Sequence, residues 1–207
     1  MCRGEKCRSG EDGSVAKGWD HDPPAKQKVV PLGILVLVSG ALSLFFGSGG
    51  SSDFWVGALE CCWRQARSQW RGIRKLVIYL DNGPDNSGRR TQFLKRMVQF
   101  ADWSGLIVHL VYYPPYHSKY NPIERCWSSL QKKWNGMLLN CWEVILSCAQ
   151  RMKWKGMHPT VQRLTGRYLR PARISAREMK PWEARLERSA HLPKYDIIIR
   201  PKEPCGR

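Results

Sequence analysis

Asp81 and Glu124 are the side chains whose type and surroundings best suit chemistry. Asp81 ends an apolar run, Leu76-Val77-Ile78-Tyr79-Leu80, and is followed at once by Asn82-Gly83. An acid at a strand end beside a tight turn sits where a metal can be reached by both protein and substrate. Glu124 closes the run Asn121-Pro122-Ile123-Glu124. Proline suits the first helical turn, and Asn121 before it is a good N-cap, so Glu124 is expected in that first turn. No catalytic Cys, Ser or His motif lies nearby. Two carboxylates in such places suggest a divalent-metal site for phosphoryl transfer. Each acid also has a plainer reading, a turn aspartate after a strand and a first-turn acid favoured by the helix dipole. It is the combination that points to chemistry.

The elements that must position these acids follow from the apolar pattern. Residues 1–28 are polar, Gly-rich and charged, and read as an irregular arm. Val30 to Val38 and Ala41 to Phe46 read as a hairpin of two buried strands around Ser39-Gly40. After a Gly/Ser loop, Asp53 is expected to cap a helix running to about Gln69. Arg71 to Lys75 is a basic connector into the Asp81 strand. Asp85 reads as a turn residue. A helix over Arg89 to Ser104, with Phe93, Met97 and Phe100 inward, ends at Gly105. Leu106 to Tyr113 is a strand stopped by Pro114-Pro115. From Pro122 to about Asn135 a helix carries Ile123, Trp127, Leu130 and Trp134 on one face, and Glu143 to Lys155 continues helical. Beyond Gly156 the pattern breaks into basic, proline-containing pieces with one late β run at Tyr195 to Ile199. The order is that of an α/β chain. It divides into an arm (1–28), a core (29–155) and a basic extension (156–207).

Charge narrows the partner. The 207 residues hold 34 Lys and Arg against 17 Asp and Glu, a net +17. Arg151 to Arg207 holds 15 of the cations and only 5 of the acids. Such a surplus favours a polyanion, usually nucleic acid, with a merely basic surface as the plainer alternative. The ten Trp and seven Tyr add possible stacking platforms, but most of the Trp sit at core spacing. Eight cysteines form no CxxC pair and no zinc spacing, and no signal peptide precedes them. Free thiols in a reducing cytoplasm are expected. Val29 to Phe46 is apolar enough to resemble a membrane span. Pro31, Gly33 and Ser39-Gly40 punctuate it, so the hairpin is the better reading and no membrane partner is expected.

The runs LVIYLDNGPDNSGRRTQFLKRM and YYPPYHSKYNPIERCWSSLQKKWNG carry more than a pattern. They resemble the catalytic part of bacterial insertion-sequence transposases of the DDE type, the ISAzo-type family above all. WDHD, VVPLGIL, SDFWVGALE and LPKYDIIIRP extend the likeness over nearly the whole chain. The resemblance implies a ribonuclease H-like mixed sheet flanked by helices, with carboxylates holding Mg²⁺ (or Mn²⁺) for cleavage and transfer of DNA strands. Asp81 corresponds to the family's second acid and Glu124 to its third, with 42 residues between them. Asn82 and Gly83 would shape the turn under the metal, and Asn121 and Pro122 would orient the Glu124 helix. Ser118, Lys119 and Tyr120 would touch DNA backbone, with Arg89 and Arg90 as further DNA contacts.

The likeness has a gap. The family's first acid lies on an opening strand upstream of WDHD, and neither Asp20 nor Asp22 has a strand around it to take that role. The expectation is therefore a core lacking its first strand, a truncated copy without transposition activity, with DNA as its partner and a homo-oligomer on that DNA as its assembly. The alternative is a non-catalytic basic DNA-binding remnant. A membrane-associated protein built on Val29 to Phe46 and a different ribonuclease H-like nuclease are more distant readings.

Overall fold

The computed structural model describes residues 28–114, 117, 120–166, 168 and 174–202. Among them the chain forms seven strands and five helices, a mixed α/β protein with two sheets rather than the single sheet expected. It divides into two units. One is built on the chain up to Ser48 and on Pro122–Thr165, the other on Gly49–Asn121 and the chain from Gly166 onward.

In the first unit, β1 (Val30–Leu35) and β2 (Leu42–Gly47) pair antiparallel, with Val30 opposite Gly47 and Leu35 opposite Leu42. The expected hairpin is present. Its turn is closed by the Val36 N–H donating to the Ala41 carbonyl (2.9 Å), and Gly40 turns the chain with φ +74°. Leu42, Leu44 and Phe46 recur at the strand period on one face, against Cys126 and Leu130 of α3 (Ile123–Trp134) and Ile145 and Ala149 of α4 (Trp142–Gln150). Gly33 allows α3 to approach, because a Cβ there would stand 3.0 Å from both Ile123 and Trp127. One expectation is corrected here. The resemblance implies one mixed sheet, but the hairpin belongs to a separate three-stranded sheet in which β5 (Thr160–Arg163) joins β2 in parallel. Phe45, on the other face of β2, is also fully buried, as suits a central strand.

In the second unit, β3 (Lys75–Leu80) and β4 (Ile107–Tyr112) run parallel, joined by α2 (Thr91–Ser104). Then β7 (Asp196–Ile199) pairs antiparallel to β4, and β6 (Leu186–Arg188) to β7. A parallel pair needs a crossover of this kind. Phe93, Met97, Phe100 and Ala101 of α2 pack on Leu80, Val108, Leu110, Ile197 and Ile199 of the sheet. Val56 of α1 (Ser52–Ala66) and Met179 of α5 (Ala176–Glu183) complete this core. Gly105 ends α2 with φ +72°, as its position predicts.

Two local readings need correction. Asp53 does not cap α1: Ser51 does, its hydroxyl accepting from the Phe54 N–H at 3.3 Å. Asp53 lies in the first turn, where it pairs with Arg96 (3.1 Å) and accepts from Gln92. α5 falls in the segment read as irregular. Ser175 and Glu178 form a reciprocal capping box around its start, a signal that Pro181 inside the helix obscured.

Asp102, on α2, ties the sheet's far edge. Arg185 donates to both its oxygens at 2.7 and 3.2 Å, and the Lys202 N–H donates at 2.7 Å. Burial pushes this carboxyl up, but Arg185 and Lys202 together hold it below the usual carboxylate range. A depressed folded pKa gives stability that is full above the unfolded value and lost as pH falls through the folded one. Stability is therefore expected to decline below about pH 4, and Asp102→Asn should flatten that decline in thermal melts taken across acid pH.

Candidate functional site

Asp81 stands just past the end of β3, exposed, at the mouth of a turn that the sequence builds around it. Its Oδ1 accepts from Asn86 Nδ2 at 2.9 Å and from the Gly83 N–H at 3.3 Å. Its Oδ2 has no hydrogen-bond partner among the described residues. One oxygen is thus tied to the protein and the other remains for a ligand. Asn82 takes the left-handed region, φ +61°, which asparagine tolerates better than most residues. A Cβ on Gly83 would come within 3.2 Å of Asn86 Oδ1 and 3.5 Å of Asp81 Oδ1. The glycine therefore leaves space for the carboxamide that orients the acid.

This turn is anchored at several points. Asn86 is buried, and its carbonyl accepts from the Tyr112 hydroxyl on β4 at 2.9 Å. Burial pushes the Tyr112 phenol up, so it stays a donor at neutral pH. Ser52 Oγ donates to the Asp85 carbonyl at 2.8 Å, and Arg188 Nη1 to the Gly88 carbonyl at 3.0 Å. Asp85 is a turn residue as read. Sequence reading passed over Asn86 and Tyr112. The available signal was the Asp-x₄-Asn spacing across a Gly-Pro turn, which returns a carboxamide to the acid that opened it.

Glu124 lies exposed in the first turn of α3, in the other unit. The helix carries Lys132 and Lys133 in its last turn, so its charges complement the dipole at both ends. The cap differs from expectation: Pro122 occupies the N-cap position without a side-chain bond, and Asn121 lies one residue outside it. Proline's fixed φ still sets the entry, so the acid's place in the first turn is unaffected. The two acids thus come from different units, each set at the start or end of a regular element.

Among the described residues no three or more His, Cys, Asp or Glu side chains are grouped to hold a metal ion. What the chain offers is carboxylate oxygen, the donor suited to hard cations such as Mg²⁺ and Mn²⁺. Among the described residues Cys126, Cys141 and Cys148 form no disulfide, and burial pushes the Cys126 thiol up to about 11.

The expected DNA contacts fare unevenly. Ser118 and Lys119 lie outside the described residues, as do Asp20 and Asp22. Tyr120 is 62% exposed and stacks on His117 with ring centres 5.7 Å apart. Arg89 is exposed, whereas Arg90 sits at the N-cap of α2 with its Nε buried. In the basic segment beyond Arg151, three arginines are spent internally: Arg185 on Asp102, Arg188 on Glu183 and Arg200 on Glu187. No helix among the described residues is long and apolar enough to cross a membrane.

The model of a family described as the Rhodopirellula transposase DDE domain covers residues 3–201. No curated protein matches the chain, and no solved structure does.

Proposed function

The chain belongs to the DDE transposases of the insertion-sequence type, and from that premise we propose that Asp81 and Glu124 are its carboxylate ligands for a divalent ion acting on DNA. The observation that carries this reading is Asp81, held by Asn86 and Gly83 through one oxygen at a strand end, in a chain whose residues 3–201 match the family. The substrate is the phosphodiester backbone of DNA and the reaction class is strand cleavage and transfer. A hairpin, a parallel strand–helix–strand unit and a helix bearing the last acid support a ribonuclease H-like fold. The protein works in the cytoplasm with its DNA, as a homo-oligomer on the element's ends.

Each side chain has a definable task. A bound Mg²⁺ or Mn²⁺ would polarise a phosphate oxygen and make a water or 3′ hydroxyl more nucleophilic. Asp81 holds its place without reorganisation, because its rotamer is fixed by two donors before any ligand arrives. Glu124 is presented by a helix whose own inner face is buried, so its backbone position is rigid. Arg89, Arg90, Lys119 and Tyr120 are assigned to the DNA backbone, Arg90 from the start of α2.

Two carboxylates satisfy only part of the coordination of a hard cation, and two ions held in fixed positions need more. The 207-residue chain alone is therefore expected to bind DNA and leave it uncut. The assay is Mg²⁺- or Mn²⁺-dependent nicking of supercoiled plasmid and of DNA carrying the element's ends. Robust nicking that vanishes with Asp22→Ala would overturn this expectation, because the early arm would then supply the missing ligand.

A further inference from the structure

We propose that a cleft beside the first turn of α3 holds one nucleotide of a DNA strand, its phosphate between Arg125 and Lys155 and its base or sugar against Trp154. The inference rests on the DNA-handling function proposed above, and assigns it a binding site. The cleft encloses about 260 Å³ and is lined by Leu35, Leu37, Pro122, Arg125, Trp154 and Lys155, with Gly40 at its floor. Ligand sites for drug-sized molecules run roughly from 300 to 1,000 Å³, so this one suits a fragment the size of a phosphate with its sugar or base.

Its chemistry is mixed in the way a nucleotide requires. Arg125 and Lys155 are both exposed, and neither is ion-paired with a carboxylate among the described residues. Trp154 supplies an aromatic face, and its indole N–H has no acceptor among the described residues. Leu35 and Leu37 add an apolar wall that a purely solvated basic patch would not need. Aromatic stacking beside cations is the usual basis of single-strand binding.

The backbone is bent to put Lys155 there. Trp154 and Met157 exchange backbone hydrogen bonds of 2.8 and 2.9 Å around a two-residue turn. Within it Lys155 takes φ +48° and Gly156 φ +82°. A lysine gains nothing locally from the left-handed region, which favours Gly and Asn. Its cost is offset if the side chain is needed where it points. Gly40 makes room for it: a Cβ at that position would meet Lys155 Cδ at 3.2 Å.

The place is also functional. Arg125 follows Glu124 in the first turn of α3, so a phosphate on Arg125 lies within one helical turn of that carboxylate. The arginine offsets the repulsion between Glu124 and the strand it must approach.

The test uses the full chain, a chelator to remove metal, and a single-stranded oligonucleotide bearing 5-iodouracil. Ultraviolet cross-linking followed by peptide mapping is expected to place the label on the peptide containing Trp154. Arg125→Ala with Lys155→Ala should weaken binding about tenfold at low salt and remove that cross-link. Arg71→Ala with Arg74→Ala removes as much charge from the other unit and should leave the Trp154 cross-link in place. Cross-links confined to other peptides, or unchanged in the Arg125/Lys155 pair, would overturn the inference while leaving the DNA-binding reading intact. Loss of the cross-link to millimolar inorganic phosphate, but not to an equal ionic strength of chloride, would mark a free-phosphate site and also overturn it. No DNA binding by the unmodified chain would overturn both.

Discussion

Raising salt from about 50 to about 200 mM is expected to lower the affinity of this chain for duplex DNA by about a thousandfold. The number follows from counterion release, which gives a slope near −0.9 per phosphate neutralised; about six contacts over a fourfold change in salt yield three decades. A net charge of +17 can supply six contacts, even with Arg185, Arg188 and Arg200 paired internally. Titrations by fluorescence anisotropy at several salt concentrations give the slope directly. A slope near zero would show that the charge surplus is incidental. Truncating the segment beyond Arg151 is the wrong test of where this binding resides. That segment builds β5, α5, β6 and β7, so its removal takes a strand from one sheet and two from the other. Neutralising exposed cations singly, such as Lys153, Arg177 and Lys180, keeps both sheets whole.

The second large effect is on stability. Gly88→Ala is expected to cost about 3 kcal/mol, because overpacking against a fixed backbone lies at the upper end for such changes. A Cβ at Gly88 would run into the Lys194 carbonyl and touch Ile197. Neither can retreat easily: the Gly88 carbonyl is held by Arg188, which also donates to Pro193 at 2.8 Å, and Ile197 is fully buried in the sheet. For a chain of this size the melting temperature should fall by roughly 6–12 °C. An unchanged melting curve would mean that the loop carrying Asp81 is not packed against the β6–β7 connection as described.

How much of this was legible in the sequence depended on the range of the interactions. Local signals read well. Alternating and continuous apolar runs placed β1 to β4, and Gly105 marked the end of α2. The pairing of the hairpin with β5 did not read, because Thr160–Arg163 is a short, half-polar strand whose partner lies more than a hundred residues away. The helix at Ala176–Glu183 was hidden by Pro181 among basic residues, although Ser175 and Glu178 announced its start. At the site, Asp81 and Glu124 were visible as acids at element ends. The residues that orient Asp81 were not, because Asn86 and Tyr112 act through a turn and a neighbouring strand. The cap of α1 shows the same limit: Ser51, Ser52 and Asp53 are all good caps by type, and only the tertiary pull of Arg96 and Gln92 on Asp53 decides among them.

The central claim is that Asp81 and Glu124 ligate a divalent ion, and Mn²⁺ binding followed by electron paramagnetic resonance tests it without requiring catalysis. The unmodified chain should bind Mn²⁺, and Asp81→Asn and Glu124→Gln should each weaken binding by at least about tenfold, since even the partners of metal ligands cost that much when changed. Circular dichroism should show both variants folded. Binding unchanged by either substitution would contradict the assignment.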